Sequence, residues 1–182
     1  MEQLQNNRCL SIKKYIALAL YYGFARWLPS YGFLSGKGIR RFLCKRIFRY
    51  CGKEVNIERN AYFGSGKNIE LGDYSGIGIN AVIPSDTIIG KYVMMGPNCY
   101  ILSENHRFDN INKPMMLQGS TIAKPTVIED DVWIGRDVLM TPSRHISKGS
   151  IIAARCVLTK DFPDYSIVGG NPSKLIRMRN NE

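Results

Sequence analysis

The sequence predicts an all-β solenoid, a parallel β-helix of six-residue repeats, preceded by a helical segment. Two runs of large apolar residues with a strict spacing of six predict it. The first run is Leu71, Ile77, Ile83, Ile89, Met95 and Ile101. The second run is Ile128, Ile134, Met140, Ile146, Ile152 and Leu158. Glycines and other small residues recur in the same phase, and a fixed period of six fits neither a helix nor an alternating strand.

Six residues correspond to one side of a triangular coil, so three repeats complete one coil. The large aliphatic residue of each repeat is expected to point inward and to stack one coil later, as Leu71 would on Ile89. The glycine that often follows it suits a crowded corner. Because each coil buries its apolar side only against its neighbours, several coils are needed for a stable core.

The N-terminal segment, residues 1–54, differs from the repeats in charge. It carries eleven Lys or Arg against Glu2 and Glu54, which is +9 of the chain's +10. Two helices are predicted, at 11–28 and 39–50, with a loop at 29–38 between them. In the second helix Ile39, Phe42, Leu43 and Ile47 are expected on one side, and Arg40, Arg41, Lys45 and Arg49 largely on the other.

Two interpretations of this segment stay open. In the first, the helices cap the open end of the first coil. In the second, their basic face also holds the protein at an anionic membrane surface, beside a lipid-linked glycan. The apolar stretch 15–28 is shorter than the ~20 residues that span a bilayer. Nucleic acid is not an expected partner, because the basic residues lack interleaved base-stacking aromatics.

The cysteines favour a reducing compartment. No two of them have metal-ligand spacing, and two fall on small inward positions of the repeat. The N-terminus also lacks the pattern of a signal peptide. We therefore expect a cytoplasmic protein, with peripheral membrane contact as the open addition. The five cysteines are Cys9, Cys44, Cys51, Cys99 and Cys156.

The repeat register breaks between Ile101 and Ile128, which are 27 residues apart, or four repeats plus three residues. Segment 105–124 has no six-residue pattern, so we expect a loop that leaves the solenoid. A loop on a rigid scaffold is where a binding site is expected. His106 lies at its root, and histidine is the side chain best able to accept and return a proton near neutral pH.

Three runs carry a family resemblance: SENHRFD, IEDDVWIGRDV and LTKDFPDYSIVGGNPSKLIR. With the repeat, they resemble the galactoside and maltose acetyltransferase branch of the hexapeptide-repeat acyltransferases. The resemblance covers about residues 55–178 and implies a left-handed β-helix there, with the extruded loop at 105–124 and a short tail at 179–182. The N-terminal residues look more like those of members found in polysaccharide and capsule biosynthesis.

The resemblance implies a homotrimer that binds acetyl-CoA in the groove between neighbouring prisms and needs no metal. His106 matches the family's general base, which would activate a sugar or glycan hydroxyl for direct attack on the thioester. Trp133 matches a tryptophan beside the site. The backbone amide of Arg136 falls where an oxyanion donor is expected, although the family often has a small residue there.

Further site residues follow from the same resemblance. The positions that match the acetyl-CoA site are Gly135, Ala153, Ala154, Thr159, Lys160, Lys174 and Arg177. The candidates for binding the acceptor hydroxyl are Asn80, Asp86 and Asn105. Structural interpretations compete: the tryptophan would pack at a corner, the Lys and Arg residues would be solvated surface charges, and Asn and Asp are common turn residues.

Other functions compete with sugar O-acetylation. A γ-class carbonic anhydrase uses three histidines for zinc, and this chain has two. A serine or nucleotide-sugar N-acetyltransferase would have a larger N-terminal domain. The second hypothesis is an acetyltransferase that acts on an antibiotic or other xenobiotic, and the third is a non-catalytic scaffold. Arg144 and His145 depart from the small residue usual in the repeat, which predicts either a widened coil or a side chain in the groove.

Overall fold

The computed structural model describes residues 2–32, 35–121 and 124–179, and side chains from residue 12 onward. It begins with helix α1 (Glu2–Gly23), a 3-10 turn (Ala25–Trp27) and helix α2 (Lys37–Ile47). Both helices end earlier than the sequence predicted, and α1 begins nine residues earlier. The prediction missed that start because the polar residues before Leu10 have no apolar period to mark a helix.

Among the described residues, fifteen short strands follow the helices, and all of these strands pair in parallel except those of the final hairpin. The first eight are β1 (Tyr50–Cys51), β2 (Asn56–Ile57), β3 (Glu70–Leu71), β4 (Gly76–Ile77), β5 (Ile88–Ile89), β6 (Met94–Met95), β7 (Tyr100–Ile101) and β8 (Val127–Ile128). The others are β9 (Trp133–Ile134), β10 (Leu139–Met140), β11 (His145–Ile146), β12 (Ile151–Ile152), β13 (Val157–Leu158), β14 (Ser166–Gly169) and β15 (Lys174–Met178).

The strands form the three faces of a triangular prism. The first face has the order β1-β3-β5-β8-β11. The second contains β2-β4 and then β6-β9-β12-β14-β15. The third contains β7-β10-β13 and is extended by bridges from Val82 to Tyr62 and Tyr100. This arrangement confirms the predicted solenoid of six-residue repeats with an N-terminal helical segment.

The core of the prism is built from the residues of the two periodic runs. Leu71 pairs with Ile89, as expected, and Ile89 pairs with Ile128. All twelve residues of the two runs are buried except Met95, which is half-buried. A Cβ atom added to Gly135 would lie 2.5 Å from the backbone nitrogen of Ala154, so this corner has no room for a side chain. The stacking of coils therefore explains the glycine in the repeat.

A ladder of polar side chains follows one corner, between the second and third faces. Asn60 Nδ2 donates to Asn80 Oδ1 at 3.1 Å, and Asn80 Nδ2 donates to Asn98 Oδ1 at 2.9 Å. Asn98 Nδ2 then donates to Asp137 Oδ1 at 2.8 Å. All four residues have positive φ, a region that Asn and Asp tolerate better than other side chains. We call this series the asparagine ladder.

The N-terminal helices close the first end of the prism. Their inward side joins the core of the first coil, so helices and coil form one apolar cluster. The helical members are Ala17, Tyr21, Ala25, Leu43, Cys44 and Ile47, and those of the first coil are Val55, Ile57, Ala61 and Phe63.

Side chains of the helices satisfy backbone carbonyls of the first coil. In the second coil, the carbonyls of Ser75, Ile77 and Ala81 accept hydrogen bonds from backbone N–H groups one coil below. The equivalent carbonyls of the first coil have no coil below them, and an unpaired buried carbonyl is costly. The replacement donors are Arg41 Nε to Val55 O at 2.8 Å, Arg40 Nε to Ile57 O at 2.6 Å and the Tyr21 hydroxyl to Ala61 O at 3.0 Å.

This requirement for donors turns α2 away from its predicted orientation. Arg40 is fully buried and Arg41 faces the first coil, whereas Ile39 and Phe42 are 45% and 55% exposed. The sequence-based expectation for these four residues was therefore wrong. The apolar period predicts which side chains avoid water, but the carbonyls at the end of the prism need N–H donors.

Candidate active site

The extruded loop leaves the prism at the corner between the third and first faces. Ile101 pairs with Met140, 39 positions later instead of the usual 18. The strand pairing of the third face therefore continues directly across the inserted segment. The two limbs of the loop pair with each other at its base. Arg107 N donates to Gly119 O at 2.9 Å, and Thr121 N donates to Asn105 O at 2.8 Å.

His106 lies between these two bonds, in an antiparallel bridge with Ser120. Its backbone is thus fixed, while its side chain is exposed. Within the described ranges the imidazole ring makes no hydrogen bond. The base of the loop therefore fixes the backbone of His106 and leaves its ring exposed.

The outer part of the loop is ordered by Gln118, which the sequence did not single out. Its Nε2 donates to the carbonyls of Asn110 and Lys113 at 2.9 and 2.7 Å, and its Oε1 accepts from Asn110 N at 3.1 Å. The apolar side chains of the loop are nevertheless exposed. They are Phe108, Ile111, Met115, Met116 and Leu117.

A row of mostly apolar residues, which we call the apolar track, crosses the second face of the prism. The register places the outward residues of five strands in one row: Met94, Trp133, Ile151, Ile167 and Arg177. Trp133 is 51% exposed, and the row ends at the exposed Arg177. The sequence did not single out Met94, Ile151 and Ile167 in this row. It does indicate that they face outward, because each lies one position before an inward residue.

Small residues border this row. Gly135 lies against Ala154, and a Cβ atom added to Gly169 would lie 3.3 Å from the Cβ of Ala153. The structure therefore brings Trp133, Gly135, Ala153 and Arg177 together on one face. Arg136 follows Gly135, its side chain pairs with Asp137 at 3.3 Å, and its backbone N–H donates to no other described residue.

The remaining predicted acetyl-CoA residues lie at the C-terminal end of the prism. Thr159 N donates to Ser173 Oγ at 3.1 Å, which places Thr159 beside Lys174. Lys160 Nζ lies 5.5 Å from the centre of the Phe162 ring. Strand β13 separates this pair of residues from Ala154. Lys174, on β15, is adjacent to the apolar track, whereas Thr159 and Lys160 follow β13 and lie at the corner between the third and first faces.

The predicted acceptor residues divide between two corners. Asn80 belongs to the asparagine ladder, where its amide both accepts and donates a hydrogen bond. Asp86 is half-buried at the corner from which the loop departs, one coil earlier. Asn105 is at the loop root, where its carbonyl accepts from the amide and hydroxyl of Thr121.

The two groups of site residues lie on different sides of the third face. His106, Asp86 and Asn105 are at the loop corner. Trp133 and Arg136 belong to the second face and its far corner, together with the asparagine ladder. The outward residues Val82, Tyr100, Leu139 and Val157 lie between the groups. A single chain therefore does not bring His106 to the apolar track.

Burial makes the described cysteines poor nucleophiles. It raises the pKa of the Cys99 thiol to about 11, and Cys99 Sγ donates to the carbonyls of Gly96 and Gly135. Burial likewise raises the pKa of Cys51 to about 11, and those of Cys44 and Cys156 above their ordinary value. The side chain of Cys9 lies outside the described residues.

Arg144 and His145 belong to an ionic cluster on the surface, and the coil is not widened there. His145 and Ile146 keep the regular pairing with Val127 and Ile128. The Arg144 guanidinium donates to Thr159 O at 3.0 Å and lies 3.4 Å from Asp161. His145 Nε2 lies 2.8 Å from Glu129 Oε1, a bond that holds the pKa of this carboxyl below its usual range.

Comparisons with known proteins relate this chain to acetyltransferases. No family model matches the chain. A galactoside O-acetyltransferase of Lactococcus lactis is 32% identical over 142 residues, which are 76% of this chain and 67% of the relative. A chloramphenicol acetyltransferase of Klebsiella aerogenes is 48% identical over 107 residues, about half of either chain.

A solved structure extends the similarity to nearly the whole chain. It is a hexapeptide-repeat acetyltransferase of Vibrio cholerae complexed with acetyl-CoA, 26% identical, with a TM-score of 0.75. The match covers 96% of this chain and 89% of the Vibrio chain.

Proposed function

Because this chain belongs to the hexapeptide-repeat acetyltransferases, in the branch of the galactoside and maltose O-acetyltransferases, we propose that it transfers an acetyl group from acetyl-CoA to a sugar or glycan hydroxyl. The observation that carries the proposal is the apolar track that runs from Trp133 to Arg177. The apolar residues and the terminal cation of the track suit acetyl-CoA. His106, whose backbone is fixed at the base of the loop, would complete the site.

The track suits the two ends of acetyl-CoA. Adjacent strands are about 4.8 Å apart, so the three spacings from Trp133 to Arg177 span roughly 14 Å, enough for an extended pantetheine arm. Gly135, Ala153 and Ala154 leave room for that arm. Arg177, Lys174 and Lys160 supply cations for the phosphates, and Thr159 supplies a hydroxyl.

The complete site requires two copies of the chain, which supports a homotrimer. In the proposed trimer, the loop corner of one prism faces the apolar track of its neighbour. His106 then meets the thioester, and the exposed apolar side chains of the loop become buried. The prism at 55–178, with its loop at 105–124, is the catalytic unit in this proposal, and residues 179–182 are a tail.

The proposed reaction is a direct transfer. His106 takes the proton from the acceptor hydroxyl while that oxygen attacks the acetyl carbonyl. The backbone N–H of Arg136 stabilises the oxyanion. The C–S bond then breaks, and the imidazolium returns the proton to the departing thiolate of coenzyme A. The raised thiol pKa values of the described cysteines favour this route over a covalent enzyme intermediate.

The acceptor is held beside His106. Asp86 and Asn105 lie at the same corner and offer acceptors for its other hydroxyls. Asn80 would contribute from the neighbouring prism. A glycan or glycan precursor is the proposed acceptor, which places the enzyme in polysaccharide biosynthesis.

The histidine assignment is tested by His106→Ala with His145→Ala as the matched control, since these are the two histidines of the chain. General-base catalysis contributes about 10²–10⁴-fold, so His106→Ala should lower kcat by that factor. Coenzyme A release should continue unchanged in His145→Ala. A His106→Ala enzyme with full kcat would refute the base assignment.

Donor and acceptor are tested separately. Calorimetry measures acetyl-CoA binding to the wild-type protein, and coenzyme A release is then followed over a panel of mono- and oligosaccharides. The Klebsiella relative favours a second candidate, transfer to an antibiotic hydroxyl, so the panel includes chloramphenicol. Sugar-dependent release supports the proposal, chloramphenicol-dependent release supports the alternative, and no binding of acetyl-CoA leaves the scaffold reading.

The proposed location is the cytoplasm, with peripheral membrane contact through the basic segment 1–54. No described helix combines the length and the hydropathy needed to cross a bilayer. Nucleic acid is not a proposed partner.

A further inference from the structure

The outward side of helix α1 is apolar, although it faces solvent. Between residues 12 and 24, Lys13 is the one charged residue that is exposed. The other exposed residues are Ile12, Tyr15, Ile16, Ala19, Leu20, Gly23 and Phe24. The inward side, with Ala17 and Tyr21, is apolar too. A helix that is apolar on both sides is normally covered on both sides.

This apolar side continues across α2. The two helices enclose an apolar groove of about 400 Å³, lined by Leu20, Phe24, Gly38, Ile39, Phe42 and Leu43. We call it the outer groove. Its position follows from the end of the prism, because Arg40 and Arg41 are turned inward and leave Ile39 and Phe42 outside. A contiguous apolar surface of this kind marks an interaction site.

Cations border the outer groove, and acidic residues are missing from the whole segment. Residues 3–53 contain eleven Lys or Arg and no Asp or Glu. Lys13, Lys45 and Arg46 are exposed, and Arg46 Cζ lies 3.6 Å from the centre of the Phe42 ring. Lys45 and Arg46 form no ion pair with any described residue.

The charge decides which occupant fits the groove. Two copies joined through this surface would bring cations against cations, with no carboxylate from 3–53 to pair with them. An anionic bilayer supplies what the surface lacks, an apolar phase beneath a layer of negative headgroups. Trp27 and Tyr31, 58% and 71% exposed, continue the rim with the aromatic types found at membrane–water interfaces.

We propose that the outer groove and its basic rim form a docking site for an anionic phospholipid bilayer, with Leu20, Phe24, Ile39 and Phe42 inserted below the headgroups. The helices lie in the plane of the surface and do not span it. This inference deepens the membrane contact included in the proposed function, but it does not depend on acetyl transfer.

Vesicle sedimentation with the full chain tests the proposal. One set of vesicles is phosphatidylcholine alone, and the other contains about 30 mol % phosphatidylglycerol. The variant is Phe42→Glu, and the matched control is Tyr92→Glu, because Phe42 and Tyr92 are 55% and 56% exposed. A second variant, Lys45→Glu with Arg46→Glu, tests the rim. All four substituted positions are exposed, so each variant should retain the fold, and circular dichroism checks this.

The wild type and Tyr92→Glu should sediment with the anionic vesicles, and rising salt should weaken the binding. Phe42→Glu and the rim variant should bind at least about tenfold more weakly, because one places a charge in the apolar phase and the other reverses the attraction. Equal binding of Phe42→Glu and wild type would overturn the proposal.

A change of oligomeric state in Phe42→Glu, measured by light scattering, would also overturn it, because the groove would then be covered by another copy. If the wild type bound an acidic protein in preference to the anionic vesicles, the proposal would be overturned as well. Acetyl-CoA calorimetry on Phe42→Glu separates this inference from the proposed function. If Phe42→Glu binds acetyl-CoA but not the vesicles, the docking site is supported. If the wild type does not bind acetyl-CoA, the proposed acetyl transfer is refuted and the docking site is not.

Discussion

The N-terminal helices and the solenoid satisfy equivalent backbone carbonyls by different means. Inside the solenoid, each coil offers N–H groups to the carbonyls of the next, as Glu58 does to Ile77. At the first coil the same acceptor, Ile57 O, is reached by the side chain of Arg40. A repeat extends itself with backbone groups, but its end needs side-chain donors. The end of a solenoid is therefore more dependent on single residues than its middle.

The first way to break this contrast is Arg40→Ala. Arg40 also donates to Ala25 O, Leu28 O and Ser30 Oγ, so its loss leaves several buried acceptors without partners. Each costs roughly 1–3 kcal/mol, and we expect a total of about 3–5 kcal/mol. Hydrogen exchange should rise in α1 and α2 and stay low in β8–β13. Arg155→Ala, at an exposed arginine, is the control, and equal exchange in both variants would contradict the prediction.

The second is Ile134→Ala, in the middle of the solenoid. Ile134 is fully buried between Met95 and Ile152, and truncation of a buried isoleucine costs about 2–5 kcal/mol. Here the exchange should rise in the coils on both sides, because each coil is buried only against its neighbours. Protection of α2 should be unchanged. Loss of protection over the whole chain would show that helices and solenoid open as one unit.

The third, Asn98→Ala, tests the asparagine ladder. Asn98 has a φ of 60° and bonds both Asn80 and Asp137, so alanine loses two hydrogen bonds and is strained in the left-handed region. We expect a loss of about 1–2 kcal/mol in urea unfolding. Asn98→Gly removes the ladder without the strain. Equal stability of the two variants would assign the whole effect to the ladder.

The smallest effect concerns pH at the junction of helix and solenoid. Lys37 Nζ lies 3.1 Å from Glu58 Oε1. Burial alone would raise the pKa of Glu58, but hydrogen bonds from neighbouring side chains and the Lys37 ammonium outweigh it and hold the pKa below its usual range. A lowered carboxyl pKa stabilises the fold above the unfolded value of about 4.3, and this contribution is lost as the pH falls through the folded pKa.

Acid should therefore loosen the contact between the helices and the solenoid. Tryptophan fluorescence can follow this, because Trp27 lies in the helical segment and Trp133 in the solenoid, and Trp133→Phe isolates the first signal. Glu58→Gln should remove this component of the pH dependence. An unchanged acid transition in Glu58→Gln would exclude the ion pair as its cause.

The sequence predicted the solenoid well because its core obeys a one-dimensional rule. Each inward residue needs only its neighbours one coil away, so a period of six determines burial at residues such as Ile77 and Ile152. The orientation of α2 follows no such rule. Its apolar period favoured a buried Phe42, but the carbonyls of the first coil required Arg40 and Arg41 on the inward side. That requirement is visible only once the end of the prism exists.

The candidate site divides in the same way. The break in register placed His106 at a loop root, and the structure has it there. The sequence could not show that His106 and Trp133 lie on opposite sides of the third face, because their separation depends on which corner the loop leaves. The unpredicted row members Met94, Ile151 and Ile167 each lie one position before an inward residue, so the sequence indicates only that they face outward. Their common role depends on the register between strands.

The direct pairing of Ile101 with Met140 has a consequence for how this protein can change. The described residues of loop 105–124, which lies between them, pair with no strand of the prism, so the length and composition of this loop are nearly independent of core stability. Doubling a flexible loop costs only about 0.6 kcal/mol in closure entropy. The outer part of the loop can therefore be replaced, in evolution or in the laboratory, so that the protein accepts new molecules. The prism and its stability would stay the same.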